Sequence, residues 1–165
     1  MSNFDYTLSI GKKVENYVKR YFENRGHQLE DLSDVKEWQE KDVDFNFKFK
    51  DGKEALFEVK ADSKLGNTGN LFFEVGFDRV TGYYAGWFSK TAAALICFVD
   101  YVNKKGYIVL LDKDVIKDNS RNITWQNRTD CCLGFAYLLP ITKAKELGLV
   151  VYEWTIEEEI LKAAA

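Results

Sequence analysis

The sequence predicts a single domain of the α/β (α+β) class, in which a mixed β-sheet is flanked by helices. Its 165 residues suit one hydrophobic core and contain no linker rich in glycine, serine or proline, so residues 1–165 are treated as one domain. A content of 46% hydrophobic and 15% aromatic residues argues against disorder, and 30% charged residues indicate a soluble chain. The predicted elements follow the order helix, three strands, short helix, further strands and helix, which indicates helices packed on a sheet.

The first predicted element is an amphipathic helix over residues 9–26. Apolar residues recur there at spacings of three and four, which is the helical period. Gly26 is the expected end of this helix, because glycine adopts the left-handed conformation that often follows a last turn. The apolar positions are Ile10, Val14, Tyr17, Val18, Tyr21 and Phe22.

A β-hairpin is predicted over residues 42–60, because apolar and polar residues alternate strictly on both sides of Lys50-Asp51-Gly52. A two-residue turn at Asp51-Gly52 would pair Phe45 with Glu58 and mix the two faces. A three-residue loop with Gly52 in the left-handed conformation would pair Asp44 with Glu58. The alternation favours the three-residue loop.

Further strands are predicted where apolar and β-branched residues cluster, at residues 70–77, 95–102, 106–111, 133–139 and 149–154. Short helices are expected at residues 90–94 and 114–117. Thr155 is followed three residues later by Glu158, a spacing typical of a capping box, which predicts a final helix.

Charge, cysteine and histidine content limit the chemistry. A net charge of −3 gives no overall attraction for phosphate, although residues 79–111 and 119–145 are locally basic. The three cysteines are predicted to be reduced core thiols, and His27 is expected near a helix end, so catalysis would depend on carboxylates and lysine.

Because no apolar run reaches about 18 residues and the start lacks a signal peptide, a cytoplasmic protein without membrane contact is expected.

The predicted hairpin places Asp44, Glu58 and Lys60 on one polar face. Two neighbouring carboxylates repel each other unless a cation lies between them. A hard divalent ion, Mg²⁺ or alternatively Mn²⁺, would take one oxygen from each carboxylate, with the backbone carbonyl of Val59 and water as further ligands. Lys60 would then orient an attacking water and neutralise charge developing on a phosphate. This combination suits phosphodiester hydrolysis.

An aspartate on one strand followed by Glu-x-Lys on the next resembles the PD-(D/E)XK nuclease superfamily. The resemblance covers residues 9–100, with Val43 in the place of the motif's proline. It implies a restriction-endonuclease-like fold and a Mg²⁺-dependent DNA endonuclease or resolvase-like enzyme that releases a 3′-hydroxyl and a 5′-phosphate. The implied catalytic residues are Asp44, Glu58 and Lys60.

The resemblance also implies an acidic residue on the first helix, for which Glu15 is suitably placed as a catalytic residue and metal ligand. Residues 68–74 are similar to a stretch in some phage-associated members, which implies a catalytic or metal-water contact for Glu74. The implied partner is duplex or branched DNA. Because one small chain is unlikely to read a long DNA site alone, a homodimer or a protein partner is a further expectation.

Residues 79–90 interleave bases, aromatic residues and glycines. This composition suits a loop that follows a sugar-phosphate backbone or stacks on an unpaired base, and it equally suits a hydrophobic loop packed on the sheet. The candidate nucleic-acid contacts are Arg79, Tyr83, Tyr84, Trp87 and Lys90.

Simpler interpretations stay open. The polar face of the hairpin can be a solvated surface with cross-strand ion pairs. Asp42 can replace Asp44 as the ligand, and Asp62 and Lys64 are expected to be ordinary loop charges. The protein can also be a catalytically silent nuclease-fold module that binds nucleic acid or a protein partner, or an interaction domain with an acidic surface.

Overall fold

The computed structural model describes residues 3–126 and 132–160. The helices are α1 (Asn3–Glu23), α2 (Lys36–Gln39), α3 (Leu65–Thr68), α4 (Trp87–Lys90), α5 (Lys113–Asn119) and α6 (Ile141–Glu146). The strands are β1 (Gln28–Asp31), β2 (Phe45–Lys48), β3 (Glu54–Ala61), β4 (Asn70–Arg79), β5 (Gly82–Ala85), β6 (Leu95–Asp100), β7 (Lys105–Leu110), β8 (Arg121–Gln126), β9 (Leu133–Pro140) and β10 (Val150–Thr155).

The strands form two sheets. The first sheet has the order β1-β2-β3-β6-β7-β10, and the second has the order β5-β4-β9-β8. All paired neighbours are antiparallel except β3 and β6, which run parallel. The predicted mixed sheet with helices is therefore confirmed, and a second sheet, which the sequence did not indicate, is added to it.

The predicted register of the β2–β3 hairpin is confirmed. Phe45 pairs with Phe57 and Lys48 pairs with Glu54, and the N–H of Phe49 donates to the carbonyl of Lys53, so the loop contains the three residues 50–52. Gly52 has a φ of 84°, the left-handed conformation that this loop requires. This register brings Asp44, which directly precedes β2, opposite Glu58.

Helix α1 covers one face of the first sheet. Its buried residues Val14, Val18 and Phe22 pack on Phe45 and Phe57 from the hairpin. The helix starts at Asn3, six residues earlier than predicted, and ends at Glu23.

Gly26 closes α1 in the expected way. It has a φ of 85°, and the N–H of His27 donates to the carbonyl of Phe22, a pairing typical of a glycine cap.

The second sheet and α4 cover the other face of the first sheet. Leu71 and Phe73 of β4 pack with Ile96 and Phe98 of β6 in a second core. Strand β6 is buried along its whole length because it has a core on each side. Glu58, which points to this side from β3, is consequently buried, and Lys60 is partly buried.

Several element predictions need correction. The short helix expected at residues 90–94 is α4, Trp87–Lys90, and the chain from Thr91 onward is extended. No final helix begins at Thr155 in the part described, up to residue 160. Thr155 instead completes β10 opposite Lys105, whose Nζ donates to its Oγ1 at 2.9 Å, so this threonine is a strand residue.

Two expectations about composition can also be compared with the structure. Cys97 and Cys132 are buried, as predicted, and Cys131 lies outside the described residues. None of the helices in the described ranges is long and apolar enough to cross a membrane.

Candidate active site

Asp44 is held by both its backbone and its side chain. Its N–H donates to the carbonyl of Phe57 at 3.0 Å, and its Oδ2 accepts a hydrogen bond of 2.8 Å from the N–H of Val59. Since Val59 follows Glu58 directly, these two bonds fix the Asp44 carboxylate beside the strand that carries Glu58.

Glu58 is buried, with 4% of its surface exposed. Its Oε1 accepts a hydrogen bond from Lys60 Nζ, and its buried Oε2 has no hydrogen-bond partner. The expectation of a wet polar face is therefore wrong at this position, because the second sheet and α4 cover the residues that follow the hairpin. A buried carboxylate oxygen without a partner is costly unless a proton or a cation occupies it.

The electrostatics of this carboxylate pair follow from burial. Burial raises the pKa of Glu58 to about 8; Asp44 adds to this shift, and the Lys60 ammonium opposes it. Burial also raises the pKa of Asp44 to about 6, and the negative charge of Glu15 adds to it. Without a cation, the pair therefore retains a proton near neutral pH, since two buried carboxylates resist ionising together.

The oxygen atoms available to a cation come from three residues. Besides Asp44 and Glu58, the carbonyl of Val59 points to the same side of β3 as its own N–H, which binds Asp44. Across the described ranges, 3–126 and 132–160, no three His, Cys, Asp or Glu side chains are grouped closely enough to hold a metal ion. Two carboxylates, one carbonyl and water thus make up the available ligand set.

Glu15 lies on α1, close enough to Asp44 for its charge to raise the pKa of that residue. Its side chain is 19% exposed, and its Oε2 lies 3.2 Å from Lys12 Nζ. Its role as a metal ligand stays a prediction.

Glu74 lies on β4, in the second sheet. Burial raises the pKa of its carboxyl group, and the Lys60 ammonium and the backbone N–H of Trp87 oppose the rise. The backbones of α4 and β4 approach each other closely at this point. A Cβ built on Gly86, which directly precedes α4, would lie 2.5 Å from the carbonyl oxygen of Glu74. The structure thus brings Glu74 near Lys60, although it belongs to a different sheet.

Asp42, the alternative ligand, is engaged elsewhere. Its Oδ2 lies 2.8 Å from Lys90 Nζ, and its backbone has a φ of 44°. The hairpin geometry therefore favours Asp44 for the central position, and Asp42 with Lys90 forms an ion pair at the edge of the site.

The predicted nucleic-acid contacts divide into two groups. Arg79, Tyr83 and Tyr84 lie on the exposed β4–β5 hairpin, where the Arg79 guanidinium is 5.3 Å from the Tyr84 ring centre. Trp87 and Lys90 lie on α4 beside the carboxylates, and Lys60 Nζ is 4.9 Å from the Trp87 ring centre. Residues 79–90 are therefore a strand and a helix in place of the expected single loop.

An open cleft of about 440 Å³ adjoins the carboxylate pair at Lys60. Its residues include four that sequence reasoning did not assign to a site: Lys64, Phe72, Arg121 and Leu138. No local sequence signal could have joined them, because Phe72 meets Leu138 only through the pairing of β4 with β9, whose paired residues lie 55 to 70 positions apart.

Comparisons with protein-family models, with curated proteins and with solved structures find no match for this chain. The functional argument therefore rests on the geometry. That geometry is a mixed sheet carrying two buried carboxylates, one lysine and an adjoining open cleft.

Proposed function

We propose that this protein is a metal-dependent nuclease of the PD-(D/E)XK type that hydrolyses phosphodiester bonds in DNA. One observation carries the proposal: the Oε2 of Glu58 is buried without a partner, next to Asp44, while Lys60 binds the other oxygen of the same carboxylate. A proton shared with Asp44 or a bound cation would satisfy that oxygen, and a cation would also balance the charge of both carboxylates.

A divalent cation fits the chemistry of this donor set. Burial holds the pKa of Glu58 and of Asp44 above their ordinary values, and the charges of Asp44 and Glu15 respectively add to these shifts. A positive charge between the two carboxylates would therefore stabilise their ionised forms. Oxygen ligands of this kind suit Mg²⁺ or Mn²⁺, which retain several water molecules. When bound there, such an ion would supply Lewis-acid stabilisation of a phosphate.

Lys60 is the residue of the chain that faces the substrate. Its side chain is 25% exposed, and it borders both the carboxylate pair and the open cleft. Its ammonium donates to Glu58, and it has further protons with which to orient a water molecule and to hold charge on a phosphate oxygen. The charge of Glu74 attracts Lys60, while the charge of Glu15 raises the pKa of Asp44 and so favours a cation at the pair.

A catalytically silent nuclease-fold module is the second candidate. It is favoured by the finding that the described parts of the chain bring no third carboxylate, histidine or cysteine into a metal-binding group with the pair. Such a module would bind nucleic acid at the same face without cutting it.

The test is a cleavage assay with supercoiled, linear, single-stranded and branched DNA, each with Mg²⁺, Mn²⁺ or chelator. Wild-type protein is expected to cut at least one of these substrates in the presence of a divalent ion, and Glu58→Gln and Lys60→Ala are expected to lose that activity. Binding without cleavage under all conditions would instead support the silent module.

Matched controls are available on the same strand and hairpin. Glu54→Gln changes an exposed glutamate at the other end of β3, and Lys53→Ala removes an exposed lysine paired with Asp51 at 3.0 Å. Both variants are expected to cut like wild type. Equal loss of activity in Glu54→Gln and Glu58→Gln would contradict the assigned site.

A further inference from the structure

The cleft beside Lys60 has one wall built from a row of cross-strand neighbours in the second sheet. Phe72 of β4 pairs with Leu138 of β9, and Leu138 pairs with Arg121 of β8. Residues that pair directly across antiparallel strands lie on the same face, so Phe72, Leu138 and Arg121 face the cleft together. This wall places an aromatic ring and a guanidinium on one surface.

The opposite wall belongs to the first sheet and α4. Phe98 and Trp87 line it, with their ring centres 6.2 Å apart, and Lys60 borders it. Trp87 is half-buried, so part of its indole remains open to the cleft. Phe98 is only 1% exposed, so the half-buried rings of Trp87 and Phe72 supply the aromatic surface that a ligand can reach.

The rim of the cleft is cationic. Lys64 and Arg121 are exposed there, and Lys60 stands at the end nearest the carboxylates. Among the described residues that line the cleft, Asp62 is the one acidic residue, and its Oδ1 accepts hydrogen bonds from the N–H groups of Lys64 and Leu65. Because Lys60 is paired with Glu58, Lys64 and Arg121 supply the positive charge of the rim, on a chain whose net charge is negative.

We infer that this cleft binds an unpaired nucleotide of the DNA strand, next to the phosphate that is cut, so that single-stranded ends or flaps are the preferred substrates. The inference rests on the proposed function for the cutting step, while the binding step stands by itself. Aromatic rings accept the face of any base, and cations on the rim match the phosphates on either side of it. The volume of about 440 Å³ lies within the range of roughly 300–1,000 Å³ typical of ligand sites.

A paired base cannot enter the cleft, because its faces are stacked and its edge is bonded to the opposite strand. The aromatic residues of the cleft are therefore useful only to a substrate whose base is already free. The bound nucleotide would also lie next to the proposed active site, since Lys60 and Trp87 line the cleft and are close to Glu58 and Glu74.

The experiment measures binding without cleavage and then cleavage. In the presence of chelator, fluorescence anisotropy compares a short labelled oligothymidylate with a labelled hairpin duplex of the same length. Wild-type protein is expected to bind the single strand about tenfold more tightly, and Lys64→Ala/Arg121→Ala is expected to remove that preference. Lys117→Ala, which removes an exposed lysine of α5 outside the cleft, is the matched control.

A second variant tests stacking separately from charge. Trp87→Phe keeps an aromatic ring in place and removes the indole, so quenching of tryptophan fluorescence by unlabelled oligothymidylate is expected to fall relative to wild type. Equal affinity for the single strand and the duplex, or unchanged single-strand binding in the double variant, would overturn the inference.

The cleavage arm separates the two proposals. With Mg²⁺ and a flapped substrate, the double variant is expected to raise KM about tenfold with little change in kcat. If the double variant cleaves the flapped substrate with the KM of wild type, nucleotide binding in the cleft is wrong, whereas the proposed nuclease activity is retained. Single-strand binding that depends on Lys64 and Arg121 in a protein that cuts nothing would uphold the cleft and reject the nuclease.

Discussion

The N–H of Val59 donates a hydrogen bond of 2.8 Å to Oδ2 of Asp44. This bond ties the carboxylate at the start of β2 to the strand that carries Glu58, and it leaves one Asp44 oxygen outside the bond. Because the two acidic residues are held by backbone geometry, their closeness persists whether or not a cation is present. Their repulsion is therefore a measurable property of the metal-free protein.

Asp44→Asn is expected to stabilise the metal-free protein at about pH 8. Burial raises the pKa of Asp44 to about 6, so ionising it in the folded chain costs free energy, and asparagine removes this charge. The amide oxygen can still accept the hydrogen bond from the N–H of Val59, so we expect the free energy of unfolding to rise by about 1 kcal/mol. Urea denaturation with chelator measures it. A less stable metal-free variant would count against a clustered pair.

The stability of the metal-free protein is expected to fall as pH rises. Glu58 has an ordinary pKa of 4.5 that burial raises to about 8, so the folded chain binds more protons than the unfolded chain between these values. The stabilisation is thus fully present below about pH 4.5 and is lost as the pH approaches about 8. Denaturation across this window should show a smaller slope for Glu58→Gln. If the free energy of unfolding changes equally with pH in wild type and Glu58→Gln, Glu58 is not the source of the pH dependence.

Lys60→Ala is expected to lower kcat by about 10²-fold to 10³-fold in a cleavage assay, because the variant loses a cation that holds charge on the phosphate. Binding of Mn²⁺ should remain, since Lys60 donates to Glu58 and takes no place among the oxygen ligands. Calorimetry with Mn²⁺ separates the two effects. Unchanged turnover in this variant would show that Lys60 only neutralises Glu58.

Gly86→Ala is expected to destabilise the protein by about 1–3 kcal/mol, because its Cβ would lie 2.5 Å from the carbonyl oxygen of Glu74 and 2.8 Å from its Cγ. Relief of this clash would push α4 away from β4 and displace Trp87 and Glu74. Gly11→Ala is the matched control. It adds a Cβ within α1 that meets no atom within 4 Å, and it should raise stability by about 0.5–1 kcal/mol. Similar melting temperatures for the two variants would contradict the close approach at Gly86.

The sequence predicted best those features that depend on local periodicity. Alternation fixed the register of β2 and β3, and therefore the neighbouring positions of Asp44 and Glu58, because a shift by one residue would have exposed Phe45 and Phe57. Gly26 and Gly52 marked the ends of their elements for a similar reason, since both require a positive φ.

Features that depend on distant contacts were not accessible from the sequence. The pairing of β4 with β9 joins residues that lie about 60 positions apart, so neither the second sheet nor the burial of Glu58 beneath it could be read from local patterns. Thr155 and Glu158 matched a helix start, but pairing of Thr155 with Lys105 in the sheet took precedence over this local signal.

Calorimetric titration with Mn²⁺ tests most directly whether Asp44 and Glu58 share a cation. We expect one site in wild-type protein, with affinity that rises with pH as the pair loses its retained proton, and no binding at that site in Asp44→Asn/Glu58→Gln. Glu54→Gln should bind like wild type. Absence of binding in the wild-type protein, or binding that survives the double substitution, would show that Asp44 and Glu58 do not share a cation.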